Sequence, residues 1–509
     1  MLFNSYAFLF CFLPILLLCW YGVSSFTTTA LSLVLLIASA VFYGLWGLEF
    51  FLLLIIMVGL NYFAGLLLLK EDSEERGYLD GRISRKSFLA IILIINLLPL
   101  IWFKYSDFII SNIASLFELD INFTPPGLPL GISFYTFIQI AWIVGVYNRQ
   151  IKPEGFTRHA LFSACFPYVI SGPIVRYEQI GPQFDSLSGL NANSIAKGFS
   201  LFALGLAKKV LIADSIAIYA NAIFNGAEKG FPLTTLEAWL GSFAYTFQLY
   251  FDFSGYTDMA IGLGLMIGIK LPENFNSPYK STGIVDFWRR WHITLGSWLK
   301  DFLYIPLGGN RGGKLKQYRN LFLTMLIGGA WHGAGWTFII WGALHGFMLS
   351  INHYFRAKIK DTSLQKSLST IYCRIFFIII TFLLINFCWV IFRAQTLSGA
   401  YTIYSAMFGQ GTITDPSLYQ NMQGLDLFIA KYLPHHYFQG WIPFGLFILC
   451  SIIVWVFPNC HTIFNGYKDG SSSFISFKPS KSWAYALSIL VFITLILVSR
   501  KSTFLYFQF

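Results

Sequence analysis

Charged side chains are scarce in this 509-residue sequence: Asp, Glu, Lys and Arg make up only 12% of it, whereas hydrophobic residues make up 56%. A typical soluble domain carries roughly a quarter of its residues as these four charged types. The mean hydropathy is +0.62. This composition excludes a soluble multi-domain enzyme, a disordered protein and a nucleic-acid-binding module, and it predicts a polytopic membrane protein.

Cysteine is also sparse, and the seven cysteines are scattered without a CxxC motif. Most of them lie in apolar stretches, where a free cysteine behaves as a small hydrophobic residue. The sequence therefore predicts neither a disulfide framework nor a zinc site. No set of His, Cys and carboxylate residues has a metal-ligand spacing, so we expect no bound metal.

The formal net charge of +11 does not indicate a nucleic-acid partner. Lys and Arg collect in the cytoplasmic loops of membrane proteins, and no basic run here is interleaved with aromatic residues. We interpret the excess as membrane topology and contact with anionic lipid headgroups. Membrane lipids are thus expected partners, and nucleic acids are not.

Ten apolar segments are candidate membrane spans. A hydrocarbon core of about 30 Å needs about 20 mostly apolar helical residues. The first segment lacks a basic n-region and an A-x-A cleavage site, which favours a retained span over a signal peptide. The candidates are Phe3–Val23, Thr28–Gly47, Leu48–Leu69, Ser87–Trp102, Leu128–Tyr147, Ala196–Tyr219, Leu236–Ile269, Ile371–Phe392, Trp441–Phe457 and Trp483–Ser499.

Basic loops predict the topology. Lys70–Lys86 joins two candidate spans and is expected in the cytoplasm, which places the N-terminus outside; Arg311–Arg319 and Arg356–Arg374 are expected on the cytoplasmic side too. No internal repeat or long polar linker divides the chain, and the longest late polar stretch is Asp415–Pro434. We predict one membrane domain, 1–509, whose parts are N-terminal helices (1–127), a catalytic core (128–355) and C-terminal helices (356–509).

Carboxylates occur inside one membrane-length apolar segment, Leu236–Ile269. Asp252 and Asp258 lie there among aromatic residues. A carboxylate at mid-bilayer costs at least about 2.5–3.5 kcal/mol, so both must face protein or a wet cavity. A hydrogen-bonded brace between helices is an equally good interpretation.

The segment Asp286–Ile305 predicts an amphipathic helix at the membrane interface, with Asp286 as its N-cap. Arg289 and Arg290 lie off its apolar stripe, and His292 lies at the edge of the stripe with Gly296 one turn further on. This arrangement suits a histidine facing a cavity at the membrane boundary. A surface histidine packed on lipid headgroups is the alternative. The stripe consists of Trp288, Trp291, Leu295, Trp298, Phe302 and Ile305.

The segment Asn320–Phe355 is too long for one ordinary span, and four glycines crowd its middle. Glycine is unfavourable inside a helix, so the backbone is expected to be broken or closely packed there. Irregular backbone at membrane depth is tolerated only where it is buried in protein or lines a water-filled cavity. His332 lies among these glycines and His345 follows between small residues; a satisfied core histidine is the alternative for each. The glycines are Gly328, Gly329, Gly333 and Gly335.

Several motifs together resemble one family. They are LPLGISFYTFIQI from Leu128, FPYVISGPIVRYEQIGPQF from Phe166, LYFDFSGYTDMAIGLG from Leu249, FWRRWHITLGSWLKDFLYIPLGGNRGG from Phe287, AWHGAGWTFIIWGALHG from Ala330 and the terminal FLYFQF. The sequence resembles the membrane-bound O-acyltransferases over nearly its whole length, and within them the AlgI-like polysaccharide and peptidoglycan O-acetylation proteins.

The resemblance implies an all-α fold with about ten to thirteen membrane helices, plus re-entrant or amphipathic helices, around a central tunnel. It implies that His332 is the catalytic residue and that His292 is the second catalytic position. It also implies transfer of an acyl group from a cytoplasmic thioester to a hydroxyl outside the membrane. The other candidates for substrate contact or tunnel lining are Asp252, Asp258, Arg289, Arg290, Trp331, Gly333 and His345.

The chemistry of the residues agrees with this resemblance. A thioester is already activated, so the enzyme chiefly has to deprotonate a hydroxyl and stabilise an oxyanion. Histidine suits the role of base because its unperturbed pKa lies near neutrality. We expect no bound cofactor and acetyl-CoA as donor substrate; Arg289 and Arg290 could attract its phosphates or could equally form salt bridges within the fold.

Two other functions stay open. One is transfer of D-alanine to a teichoic-acid pathway, although PLGGNRGG and WHGAGW favour acetyl transfer. The other is a proton-coupled transporter, although only one broken-helix region is found where transporters often have two. For the acetyl interpretation we expect a bacterial inner-membrane location. Because the chain has no sizeable soluble domain to hold a polymer, we also expect a periplasmic SGNH-type O-acetyltransferase as partner.

Overall fold

The computed structural model describes residues 1–23, 25–70, 83–363, 368, 370–410, 438, 441–466, 473–498 and 504–505. Within these ranges the chain forms helices and no β-strand, which confirms the predicted all-α class. The α-helices are α1 (Leu13–Val23), α2 (Thr28–Gly44), α3 (Leu48–Lys70), α4 (Arg85–Leu100), α5 (Ser106–Leu116), α6 (Ile132–Tyr147), α7 (Phe156–Ala164), α8 (Tyr177–Ile180), α9 (Ala192–Ala207), α10 (Asp214–Glu228), α11 (Thr235–Met266), α12 (Ile284–Trp288), α13 (Ile293–Leu299), α14 (Lys314–His332), α15 (Trp336–Ile359), α16 (Ile371–Arg393), α17 (Leu397–Ser405), α18 (Ile442–Trp455), α19 (Cys460–Asn465) and α20 (Lys481–Leu497).

Each of the ten candidate spans contains a helix. Among the described residues, Leu48–Leu69, Arg85–Leu116 and Ile371–Arg393 are long and apolar enough to cross a membrane. The second of these extends well past the predicted Ser87–Trp102, because the π-helical turn Ile101–Tyr105 joins α4 to α5 without a break. Five shorter apolar helices are Phe8–Val23, Thr28–Gly44, Ile132–Tyr147, Ile442–Trp455 and Lys481–Leu497. The polar stretch Asp415–Pro434 and most of the basic loop Lys70–Lys86 lie outside the described residues.

The glycines of the central helices allow close packing. Helix α11 packs along α9 and α10, and α14 packs along α15. A Cβ atom added at Gly205 of α9 would lie 2.6 Å from the carbonyl oxygen of Gly255 in α11. A Cβ atom added at Gly329 of α14 would lie 2.7 Å from the Cα atom of Gly342 in α15. Small residues at helix crossings let backbones approach, which is how membrane helices gain packing contacts.

One face of the helical assembly is basic. The Arg85 Nη2 atom at the start of α4 donates a hydrogen bond of 2.7 Å to the carbonyl of Tyr147 at the end of α6. Arg158 forms an ion pair with Asp185, and the turn that carries Asp185 is hydrogen-bonded to the main chain of Lys270. We call this side, marked by Arg85, Arg158 and Lys270, the basic face.

The region after α13 also lies on the basic face. Asp301 accepts a hydrogen bond of 2.7 Å from Arg176. The next residue, Tyr177, donates from its hydroxyl to Glu154, and Glu154 pairs with Arg158. The N-terminal end of α14 follows this region closely in the sequence and therefore begins near the basic face.

The predicted amphipathic helix from Asp286 to Ile305 is wrong, because the chain breaks inside it. Helix α12 ends at Trp288 and α13 begins at Ile293, and His292 between them has φ of 42°. The Ile293 N–H donates to the main-chain oxygen of Asn274, so a tertiary hydrogen bond replaces a bond within the helix. The N-cap is Gly283; Asp286 lies within the first turn and accepts a hydrogen bond from Arg290.

A candidate acyl-transfer centre at the break between two helices

His332 is the last residue of α14 and lies where the helix gives way to an extended link. Gly333 has φ of −161° and ψ of 155°, and α15 begins at Trp336. The structure thus combines both expectations for this region: the chain breaks after His332, and the two helices pack closely at Gly329. The break orients the imidazole into a cage of aromatic rings. Its ring centroid lies 5.1 Å from that of Trp341 and 5.3 Å from that of Phe392.

Lys104 lies against the main chain of His332. Its ammonium donates 2.7 Å to the carbonyl of Trp331 and 2.9 Å to the carbonyl of His332. These are terminal carbonyls of α14 that no intrahelical N–H can satisfy, and a cation is favourable at a helix C-terminus. The sequence analysis missed this residue. The available signal was its position as the single charge between Lys86 and Asp107 in membrane-length apolar sequence.

His292 is fully buried, and its hydrogen bonds assign its tautomer. Its Nδ1 atom lies 3.1 Å from the Oδ1 atom of Asn274. That oxygen also accepts from the main-chain N–H of Thr294 at 3.2 Å, so it is an acceptor, and the imidazole proton is assigned to Nδ1. Nε2 is then the basic nitrogen. The left-handed backbone of His292 is uncommon for a residue other than glycine, and such conformations cluster at functional sites.

Aromatic rings connect the two histidines. The ring centroid of His332 lies 4.9 Å from that of Trp331. Phe134 links them, because its ring centroid lies 6.5 Å from that of His292 and 5.9 Å from that of Trp331. The structure therefore brings the two RRWH and WHGA histidines together, although 40 residues of sequence separate them.

His345 contacts the aromatic residues around this pair and is not among the residues that line the His332 cavity. The Trp288 indole donates 3.1 Å to His345 Nδ1, and the His345 ring is 4.5 Å from that of Trp341. Trp341 in turn contacts His332. His345 therefore supports the ring that packs on His332.

A small cavity opens beside His332 on the side of the molecule opposite the basic face. Its volume is about 70 Å³. Trp46, which precedes α3, forms part of its wall, whereas the other end of α3 is Lys70 in the basic loop. We call it the His332 cavity. It is lined by Trp46, Lys104, Leu128–Phe134, Ile170, Ser171, Trp331 and His332.

A larger cavity lies towards the basic face, and we call it the Arg289 cavity. Its volume is about 600 Å³, and its walls come from α12, α13, α14 and α15. Arg289 and Lys300 are among its lining residues, and none of the described Asp or Glu residues is. The lining also includes Gln317 near the start of α14, whereas His332 ends that helix. The lining continues along α14 to Met325, about 10 Å before His332, so the Arg289 cavity lies on the N-terminal side of His332 along this helix.

Stacked aromatic side chains lie beside the His332 cavity, which Trp331 lines. The ring of Phe137 stacks between two indole rings: its centroid lies 3.7 Å from that of Trp298 and 4.8 Å from that of Trp331. The cavities share no lining residue, so the continuous tunnel stays a prediction.

The remaining candidates occupy different environments. Asp252 forms a buried ion pair of 2.5 Å with Lys209, and its Oδ2 atom accepts a hydrogen bond from the main-chain N–H of Leu505. This geometry matches the brace interpretation. Asp258 pairs with Lys208 at 2.6 Å and lines another cavity on the basic face.

Arg290 and Gly333 are not among the residues that line either cavity. Arg290 is hydrogen-bonded to Asp286 at 2.9 Å and to the carbonyl of Asn276, as in the salt-bridge interpretation. Gly333 lies against Phe338: a Cβ atom added at Gly333 would overlap the Phe338 ring. Trp331 and Arg289, by contrast, line the His332 and Arg289 cavities respectively.

Comparison with known proteins gives a consistent result. Residues 93–392 match the membrane-bound O-acyltransferase family. The chain is 37% identical to the peptidoglycan O-acetyltransferase of Helicobacter pylori, across 100% of this chain and 98% of that protein. It is 43% identical to the probable alginate O-acetylase AlgI of Pseudomonas aeruginosa, across 81% of this chain and 76% of that one. A teichoic acid D-alanyltransferase of Bacillus subtilis is 32% identical across 44% of this chain and 59% of its own length.

Proposed function

From the premise that this chain belongs to the membrane-bound O-acyltransferase family, we propose that it takes acetyl from a cytoplasmic thioester and passes it across the membrane for O-acetylation of an extracytoplasmic polysaccharide. It is a membrane-bound acyltransferase, and its relatives over most or all of its length are named as O-acetyltransferases or O-acetylases. The likeness to D-alanyltransferases covers less than half of the chain, which favours acetyl over D-alanyl.

The observation that carries this proposal is that His332 lines a cavity at the C-terminal end of α14, while a larger cavity with basic residues in its lining lies along the N-terminal part of the same helix. A path that joined the two cavities would let a donor in one compartment meet an acceptor in the other at His332. The positive-inside bias supports a cytoplasmic orientation for the basic face and hence for the Arg289 cavity.

The Arg289 cavity suits the thioester donor, for which acetyl-CoA is the proposed source. Arg289 and Lys300 provide positive charge for phosphates, and the lining contains no carboxylate from the part of the chain that the structure describes. Leu299, Met325 and Leu349 provide apolar walls for the less polar arm of the donor. The volume of about 600 Å³ falls within the usual range for a small-molecule site.

Side chains of this protein can provide the catalytic groups for the proposed reaction between the thioester and the acceptor hydroxyl. The acceptor hydroxyl attacks the thioester carbonyl, a C–O bond forms, and the C–S bond breaks. His332 takes the proton of the hydroxyl and returns it to the leaving thiolate, so the protein ends unchanged. The Nε2 atom of His292 is the second basic nitrogen, held by Asn274 through Nδ1. Lys104 fixes the main chain of His332 through its hydrogen bonds to the carbonyls of Trp331 and His332.

The His332 cavity, of about 70 Å³, is too small to hold a polymer chain. A periplasmic SGNH-type O-acetyltransferase is therefore the proposed partner that receives the acetyl group and modifies the polysaccharide. A peptidoglycan or an alginate-like exopolysaccharide is the proposed final acceptor, because both activities occur among the relatives. A bacterial inner-membrane location follows from the cytoplasmic donor.

The experiment is acetylation of the cell's polysaccharide in a strain that depends on this protein. His332→Ala is expected to abolish acetylation while the protein still accumulates in the membrane. His159→Ala is the matched control: His159 is also buried, but it lies on α7 and lines neither cavity. The control is expected to keep its activity per folded molecule. Activity of His332→Ala within a few-fold of wild type would contradict the proposal.

A further inference from the structure

Two more cavities adjoin on the basic face, away from His332. The Lys270 cavity has a volume of about 340 Å³ and a mixed polar and apolar lining. The Leu449 cavity has a volume of about 360 Å³ and a mostly apolar lining from α9, α18 and α20. They are neighbours because four residues line both of them. These are Lys208, Tyr250, Asn459 and Cys460.

The Lys270 cavity carries excess positive charge. Three lysines, Lys197, Lys208 and Lys270, face two carboxylates, Asp258 and Glu273, in its lining. Lys208 is paired with Asp258 at 2.6 Å, and Lys197 donates 2.7 Å to the side-chain oxygen of Asn465. One positive charge is left over, which suits a singly charged anion such as a phosphodiester.

Buried polar atoms in the same cavity lack partners. Ser254 Oγ, Thr257 Oγ1 and Asn274 Nδ2 have no hydrogen-bond partner within the described ranges. All three side chains are at most 2% exposed, and all three residues line the Lys270 cavity. Buried polar atoms are nearly always hydrogen-bonded in folded proteins. Three of the buried polar atoms without a partner thus belong to residues around this one cavity, where a polar ligand would supply hydrogen bonds.

The Leu449 cavity opens on the apolar outer surface of the membrane helices, which lipid contacts. Leu449 is 46% exposed and Phe457 is 37% exposed, and both are apolar. Leu204 and Leu490 form its inner wall. An apolar cleft between membrane helices, open to the side, accommodates a hydrocarbon chain.

We propose that the Lys270 and Leu449 cavities together bind one anionic phospholipid, with its phosphate and glycerol in the first and an acyl chain in the second. Basic pockets between membrane helices are suited to phospholipid headgroups. A free phosphate would use the first cavity and leave the second empty, whereas a phospholipid matches both. Lys208 lines both cavities, so the charged end and the apolar end of one ligand can meet there.

One residue, Asn274, connects the proposed lipid site to His292. Asn274 lines the Lys270 cavity, and its side-chain oxygen accepts from His292 and from Thr294. A phosphate that accepts from Asn274 Nδ2 would add to the orientation of the amide and, through it, of the imidazole. This link to turnover rests on the proposed acetyl transfer, whereas binding of the lipid does not.

The binding test uses the purified full-length protein in phosphatidylcholine nanodiscs with a fluorescent phosphatidylglycerol as probe. Lys197→Gln combined with Lys270→Gln removes headgroup charge, and Ile453→Trp fills the acyl-chain cavity. Lys314→Gln combined with Lys316→Gln is the matched control, since both lysines are exposed and line neither cavity. We expect both site variants to weaken probe binding at least tenfold and the control to bind as wild type. Thermal unfolding of each variant verifies that it is folded.

Competition separates the possible sources of the anion. Unlabelled phosphatidylglycerol is expected to displace the probe, and inorganic phosphate is expected to do so at least 100-fold less effectively. Equal displacement by phosphate, or unchanged binding by Ile453→Trp, would overturn the lipid assignment. Displacement by acetyl-CoA would also overturn it, since the cavity would then belong to the donor. A wild-type protein that binds the probe but transfers no acetyl would refute the proposed function and leave the lipid site standing.

Discussion

The ammonium of Lys104 lies 2.9 Å from the carbonyl oxygen of His332, although 228 residues separate them in the sequence. The contact ties the helix that carries Lys104 to the end of α14 at the point where the chain breaks. The contact holds the main chain of His332 in place, and with it the position of the imidazole. Lys104, which makes the contact, lies outside both histidine motifs.

Removing this contact should slow transfer without removing the base. Lys104→Met leaves two helix-terminal carbonyls without their donor, and a displacement of about 1 Å at a reacting group can cost about 10²-fold in rate. We therefore expect kcat to fall about 10²-fold with little change in the KM of the donor. Lys104→Arg should recover part of the loss. Lys86→Met, at an exposed lysine on the same continuous helix, Arg85–Leu116, is the control; a loss equal to that of Lys104→Met would show that charge anywhere on this helix matters.

The hydrogen bond between Asn274 and His292 gives a second prediction. Asn274→Ala releases Nδ1 of His292, so the assigned tautomer is no longer enforced, and we expect at least a tenfold loss of kcat. Thr294→Val keeps the bond to His292 while removing the Thr294 hydroxyl, which donates to Asn274 and accepts from the main-chain N–H of Ile174, and it should reduce kcat less. Steady-state rates of the purified variants provide the measurement. A larger loss in Thr294→Val would show that the Thr294 hydroxyl, and not the bond between Asn274 and His292, governs the rate.

His292→Ala should impair use of the thioester, because His292 lies immediately before the Ile293 wall of the Arg289 cavity. Hydrolysis or transfer of labelled acetyl-CoA, together with its equilibrium binding, measures the effect. Unchanged donor turnover combined with unchanged donor affinity would exclude His292 from the donor side of the reaction.

Asp252 should matter for folding and not for chemistry. In Asp252→Asn, Lys209 loses one of its two buried partners and keeps Asp214 at 2.8 Å, so we expect a cost below the about 3–5 kcal/mol that is typical of a buried pair broken outright. We expect a lower unfolding temperature in detergent and unchanged activity per folded molecule. Lys209→Met, which leaves both Asp252 and Asp214 without their cation, should lower the stability further. Lost activity at wild-type stability would instead place Asp252 in the reaction.

The position of most helices could be predicted from the sequence, because apolar runs of membrane length have few other solutions. The break at Gly333 was predictable for a similar reason, since glycines are unfavourable inside helices. The turn at His292 was not, because it depends on a main-chain bond to Asn274, 19 residues earlier than Ile293. The apolar stripe keeps its helical spacing across that turn, so the sequence pattern does not indicate that the helix is interrupted there.

The site was predictable only in part. His332, His292, Trp331 and Arg289 were singled out, and the structure places them at or beside the two cavities. Lys104 could not be assigned to the site because it lies in an apolar segment before the motif-rich region, and its contact with the end of α14 joins residues 228 positions apart. The pairing of Asp252 with Lys209 could not be foreseen, because it joins residues of two helices whose relative rotation the sequence does not specify.

The central claim is that acetyl crosses the protein at His332, and a two-sided assay tests it most directly. Purified protein is sealed into vesicles, with radiolabelled acetyl-CoA on the side of the basic face and the acceptor protein on the other. We predict transfer across the intact membrane, no transfer in His332→Ala, and no transfer in Gly333→Leu, whose side chain has to displace Phe338 beside the His332 cage. Gly333→Leu should still bind the donor, and Gly59→Leu, at a glycine with open space around it, should behave as wild type. Transfer only when donor and acceptor share one side would contradict the account.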